Sequence, residues 1–87
     1  MSDVRAKFIV RAKEASIYAG QELTTVKLEP VYSHDPKSEN GKFWNYTPMG
    51  KIELGTINKA AADAFELGKE YYIDFTRAES VFNKQIQ

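Results

Sequence analysis

From Val4 to Ala12 every second residue is apolar (Val4, Ala6, Phe8, Val10, Ala12), while Arg5, Lys7, Ile9, Arg11 and Lys13 occupy the alternate positions. A period of two marks a strand with one inward face. The alternation runs on to about Ile17, long for a small domain. Ile9 interrupts an otherwise cationic outer face. A first strand that bends and serves both halves of a barrel accounts for both features. A turn is expected at Gly20 to Glu22. Thr24 to Ser33 alternates again, with Val26, Leu28, Pro30 and Tyr32 on one side and Thr25, Lys27, Glu29, Val31 and Ser33 on the other. Pro30 has no N–H to give a ladder, so this strand is expected to lie at an edge or to break at a bulge.

The stretch His34-Asp35-Pro36-Lys37-Ser38-Glu39-Asn40-Gly41 is dense in turn formers and reads as a surface loop. Phe43 to Thr47 reads as a short aromatic strand, Pro48-Met49-Gly50 as a tight turn and Lys51 to Ile57 as the returning strand of a hairpin. Asn58 stands where a helix N-cap is wanted, Lys59 to Glu66 is rich in alanine, and Gly68 suits the left-handed position past a helix end. Glu70 to Thr76 returns to strand, with Tyr71, Ile73 and Phe75 on one side and Tyr72, Asp74 and Thr76 on the other. The expected fold is mainly β within the α+β class: a small antiparallel β-barrel, SH3-like or OB-like, with one short helix before the last strand. It occupies residues 1–76 as a single domain, and 77–87 form a C-terminal tail.

Composition narrows the function classes. The chain has 87 residues, enough for one core and too few for two domains. Apolar residues make up 43% and charged residues 28%, a globular balance. Twelve basic against twelve acidic side chains give a net charge of zero, so attraction to nucleic acid or an anionic membrane would need a local patch. No cysteine is present, which removes disulfides, thiolate metal sites and cysteine nucleophiles. Nothing from Met1 to Arg11 resembles a signal peptide or membrane span. A cytoplasmic protein with no membrane role is expected.

The stretch Gly50-Lys51-Ile52-Glu53-Leu54-Gly55-Thr56-Ile57-Asn58, followed by Ala60-Ala61-Ala62, Phe65 and Gly68-Lys69-Glu70-Tyr71-Tyr72-Ile73-Asp74-Phe75-Thr76, resembles a group of short uncharacterised bacteriophage and prophage proteins. The likeness extends over most of the chain and implies a viral origin, in the cytoplasm of a host cell. Its motif is structural, a strand, a capped helix, a glycine stop and an aromatic strand. It implies no activity and no site residue.

Enzyme chemistry has little to stand on. His34 beside Asp35 is half of an acid/base pair, but zinc needs three or four ligands and there is no second histidine. No serine has a nucleophile-elbow context and no glycine spacing matches a phosphate loop. Asp63 and Glu66 lie three apart on the expected helix, and Glu53 and Asp74 could approach across neighbouring strands, yet exposed carboxylates are the ordinary outcome on such faces. The expectation is a non-enzymatic binding module with no metal and no cofactor.

Two surfaces are candidates. Arg5, Lys7, Arg11 and Lys13 would line up about 7 Å apart along one strand face, close to the phosphate spacing of a single strand. Trp44 and Tyr46, flanked by Lys42 and Lys51, offer rings on which bases stack. Together they would bind single-stranded nucleic acid or a nucleotide. The plainer reading makes one aromatic set core and the cations a guard against edge aggregation. The alternative function is a protein-interaction module, a host-directed inhibitor or a self-associating virion component. In it Tyr72, Val81 and Phe82 would meet a host or phage protein or a second copy in a homo-oligomer.

Overall fold

The computed structural model describes residues 3–45 and 48–79. Four strands and two short helices follow in the order β1 (Val4–Tyr18), β2 (Gln21–Pro30), α1 (Glu39–Trp44), β3 (Ile52–Thr56), α2 (Lys59–Asp63) and β4 (Glu70–Phe75). The strands form one antiparallel sheet in the order β3-β2-β1-β4. The mainly β class is therefore as expected. The sheet is not closed into a barrel: β3 and β4, five and six residues long, are its two edges.

β1 organises the sheet. Its first part, Val4 to Ile9, pairs with β4, and from Phe8 to Tyr18 it pairs with β2. β1 thus serves two neighbours, with Phe8 and Ile9 paired on both sides, but as the centre of an open sheet and not as a strand shared by two halves of a barrel. The β1–β2 register shifts between Val10 and Ala12, leaving Arg11 as the extra residue of a bulge. An inserted residue exchanges the faces beyond it. Ala12 therefore lies opposite Lys27, and Lys13 lies opposite Val26, a residue with only 1% exposure. The sequence alternation placed Ala12 inward and Lys13 outward; the bulge reverses both.

Ala19 and Gly20 join β1 to β2, both with positive φ (51° and 79°), and Tyr18 faces Gln21. Paired positive φ values define the turn whose twist suits adjacent antiparallel strands, so the chain reverses slightly earlier than the expected Gly20 to Glu22. β2 is a central strand, and Pro30 is its last residue, where the missing N–H interrupts nothing.

Phe43 and Trp44 do not start the expected strand, and the rest of that segment, Tyr46 and Thr47, lies outside the described residues. Residues Glu39 to Trp44 are helical instead. Ser38 caps this helix, its hydroxyl accepting from Gly41 N at 3.0 Å, and the same hydroxyl donates to Asp35 O at 2.8 Å. Aromatic β propensity gives way here to capping and to two anchors, Asn40 and Trp44. The second helix is placed as expected, with Asn58 Oδ1 accepting from Ala61 N, but it ends at Asp63 rather than Glu66.

Ala6, Phe8, Val10, Val26 and Leu28 form the buried core, with Trp44, Ile52, Phe65, Tyr71 and Ile73 packed around it. All five buried residues share one face of β1 and β2. Ala62 of α2 is buried over that face as well.

Candidate functional site

The outer face of the sheet is charge-paired rather than cationic. Arg5 Nε lies 3.2 Å from Asp74, Lys7 Nζ 3.3 Å from Glu70 and Arg11 Nε 3.3 Å from Glu29. Arg5–Asp74 is a directly opposed cross-strand pair, the geometry in which opposite charges attract best. The Arg5 guanidinium also sits 4.4 Å from the centre of the Tyr72 ring, and Lys7 Nζ 5.8 Å from it. Lys13 has left this face. Its ammonium donates to Ala62 O at 2.9 Å and Phe65 O at 2.7 Å, capping the end of α2. The four cations expected to form one phosphate track are thus three paired side chains and a helix cap.

The aromatic candidates separate as well. Trp44 turns to the core, its ring edge-on to Phe8 with centroids 5.7 Å apart, and its indole N–H donates to Met49 O at 2.9 Å. Lys42 is exposed on α1, and Lys51 pairs with Glu53 at 3.2 Å. Tyr72 faces outward, about half exposed. Tyr46, Val81 and Phe82 lie outside the described residues.

Asn40, on α1, was not singled out by the sequence. It is the buried polar side chain among the described residues, at 4% exposure. Past Pro30 only half of the next ladder pair forms, Val31 N donating to Lys7 O at 3.0 Å, and Lys7 N and Val31 O do not meet each other. Asn40 Oδ1 accepts from Lys7 N at 2.6 Å, and its Nδ2 donates to Lys7 O at 2.8 Å and Val31 O at 2.6 Å. One side chain thereby stands in for the missing stretch of strand and satisfies groups that would be costly to bury alone. Gly41 beside it lets α1 come close: a Cβ there would collide with the Asp35 backbone carbonyl.

Among the described residues nothing equivalent covers β4. Lys7 directs both backbone groups to Asn40 and Val31, so its cross-strand neighbour Tyr72 is in a non-hydrogen-bonded pair with β1. Tyr72, and by the same periodicity Glu70 and Asp74, turn backbone N–H and C=O away from the sheet. On the core side, an open apolar cleft of about 490 Å³ runs between the two edge strands. Leu28, Ile52 and Leu54 line one part of it, and Phe65, Tyr71, Ile73 and Phe75 the other. Leu54 and Phe75 are 46% and 49% exposed. A free ladder edge beside an apolar trough is the arrangement that receives an extended polypeptide.

The remaining candidates do not assemble into a reactive site. His34 packs edge-on against Tyr32, and the Asp35 carboxylate accepts from Lys37 N within its own turn. Asp63 pairs with Lys59. Glu53 and Asp74 lie on opposite edges of the sheet, not on neighbouring strands. Among the described residues no group of three or more His, Cys, Asp or Glu side chains is placed to hold a metal ion, and no helix is long and apolar enough to cross a membrane.

The class that the fold defines is a small open antiparallel sheet carrying two short helices. No family model matches the chain, and no curated protein or solved structure matches it. Nothing in these comparisons identifies a phage or prophage origin.

Proposed function

We propose that this chain is a non-enzymatic protein-interaction module that takes up an extended polypeptide segment between β3 and β4. The open apolar cleft beside the unpaired β4 edge carries this reading. Backbone hydrogen bonds would supply sequence-independent affinity, and alternate side chains of the segment would fall into the cleft. The nucleic-acid reading is weaker on the same geometry. Phosphates would have to displace Asp74, Glu70 and Glu29 from their cations, and Trp44 has its ring on the core.

Selection of a random peptide library against the intact chain tests the proposal. Enrichment of sequences with apolar residues at alternate positions is expected, with binding lost in Leu54→Asp and Phe75→Asp. Peptides that bind these variants as well as the parent would overturn it. So would salt-sensitive capture of a labelled oligonucleotide that disappears in Arg5→Ala, which would restore the nucleic-acid reading.

A further inference from the structure

We infer that the segment taken up at the β4 edge is β4 of a second copy of this chain, giving a two-fold dimer with one continuous sheet. The inference rests on the proposed function and names its occupant.

Edges of natural sheets are usually blunted by shortness, charged side chains, proline, a bulge or a covering element. β4 has no proline, lysine or bulge, and its charged residues are Glu70 and Asp74. Glu70-Tyr71-Tyr72-Ile73-Asp74-Phe75 is rich in aromatic and β-branched residues, and its register with β1 is unbroken. Its two carboxylates are matched within the chain by Lys7 and Arg5, so two such edges can meet without a net repulsive charge. The β3 edge is a poorer candidate, being shorter and interrupted by Gly55.

The β4 sequence is also complementary to itself in one antiparallel register. Because Glu70, Tyr72 and Asp74 direct their backbone groups outward, they must meet residues of the same set. Centring the two-fold axis on Tyr72 sets Glu70 against Asp74, and centring it on Asp74 or Glu70 sets like charges face to face, all unfavourable. Centring it on Tyr71 leaves Ile73 facing Lys69. Centring it on Ile73 puts Tyr72 opposite Asp74 of the second copy, each pair exchanging both backbone hydrogen bonds. On the cleft side Ile73 then meets its own counterpart, and Tyr71 meets Phe75. The side chains that a lone chain leaves half exposed along β4 become cross-strand pairs. Isologous contact of this kind closes on itself and stops at two copies.

A single-cysteine experiment reads the register directly, since the chain has no cysteine of its own. In a non-hydrogen-bonded antiparallel pair the facing Cα atoms lie about 4.5 Å apart, within reach of a disulfide. Mild oxidation should convert Ile73→Cys to a covalent dimer at least tenfold faster than Ala15→Cys, placed on the exposed β1–β2 hairpin. Equal rates would overturn the register. Sedimentation equilibrium gives an independent reading. The parent should dimerise, Tyr72→Lys should remain dimeric because it faces Asp74, and Tyr72→Asp should dissociate at least tenfold more readily. Circular dichroism would check that both variants keep the parent fold. A parent that is monomeric over the accessible concentration range overturns the dimer. If that monomer still selects peptides through Leu54 and Phe75, the dimer alone fails; if it selects none, the proposed function fails with it.

Discussion

Two places in this sheet leave backbone groups without a full ladder partner among the described residues, and the fold treats them oppositely. At Lys7, where β2 has ended, Asn40 supplies both a donor and an acceptor and is buried in doing so. At Tyr72, one strand away, the backbone faces outward beside an apolar cleft and no described residue covers it. The same deficit is met inside the chain in one case and presented at the surface in the other. A fold able to plug one gap with a single asparagine is not short of means to plug a second. The difference is what supports β4 as the edge at which the proposed strand docks.

Breaking the plugged side should give the largest effect. Asn40→Ala removes three hydrogen bonds from a buried site and strands Lys7 N and Val31 O, while Lys7 O keeps its bond from Val31 N. Destabilisation of about 3 kcal/mol is expected, measured as a shift of the urea midpoint. Gly41→Ala comes next. Replacing a helical glycine ordinarily gains up to about 1 kcal/mol, but here the added methyl meets the Asp35 backbone, and a loss of about 2 kcal/mol is expected. A gain in thermal melting temperature for this variant would show that α1 does not sit tightly on its loop.

Lys13→Met tests the bulge, because only a lysine turned to the inner face caps α2. A loss of about 1–2 kcal/mol is expected, against almost none if Lys13 were on the outer face. On the open side the comparison predicts the reverse of Asn40. Tyr72→Pro removes an outward N–H without touching the β1 ladder, so stability should change by no more than about 1 kcal/mol while association through β4 is abolished. The smallest effect belongs to Arg11→Ala. Its half-exposed ion pair with Glu29 is worth no more than about 0.5 kcal/mol, and a double-mutant cycle in chemical denaturation would measure it.

The sequence made the strands legible because their signal is local. Val4 to Val10, Val26 to Leu28 and Tyr71 to Phe75 alternate cleanly, and Asn58 starts the second helix by its own chemistry, whereas Gly68 falls in a later turn and not at the helix end. What it concealed depends on partners far along the chain. The bulge at Arg11 is invisible to alternation and reversed the facing of Ala12 and Lys13. Phe43 and Trp44 have strand-like composition, yet Ser38 starts a helix before them and Asn40 anchors it to Lys7, 33 residues earlier. The acidic partners of Arg5 and Lys7 lie on β4, so the first strand looked like a bare cationic track. Closure into a barrel was inferred from strand count, and short edge strands do not enforce it. The one sequence signal that bears on the proposed docking edge is the composition of β4, aromatic and β-branched with no proline or glycine.

The division of β1 between two partners also sets an order of events during synthesis. Its distal part meets β2 across the tight Ala19-Gly20 turn, a local closure of the kind that completes in microseconds. Val4, by contrast, waits until the chain has been made as far as Phe75. Through that interval the first strand has its Asn40 plug available well before its β4 neighbour. The nascent chain thus carries a half-built sheet in which the Val4 to Ile9 stretch of β1 has no β4 partner until residues 70–75 have been made.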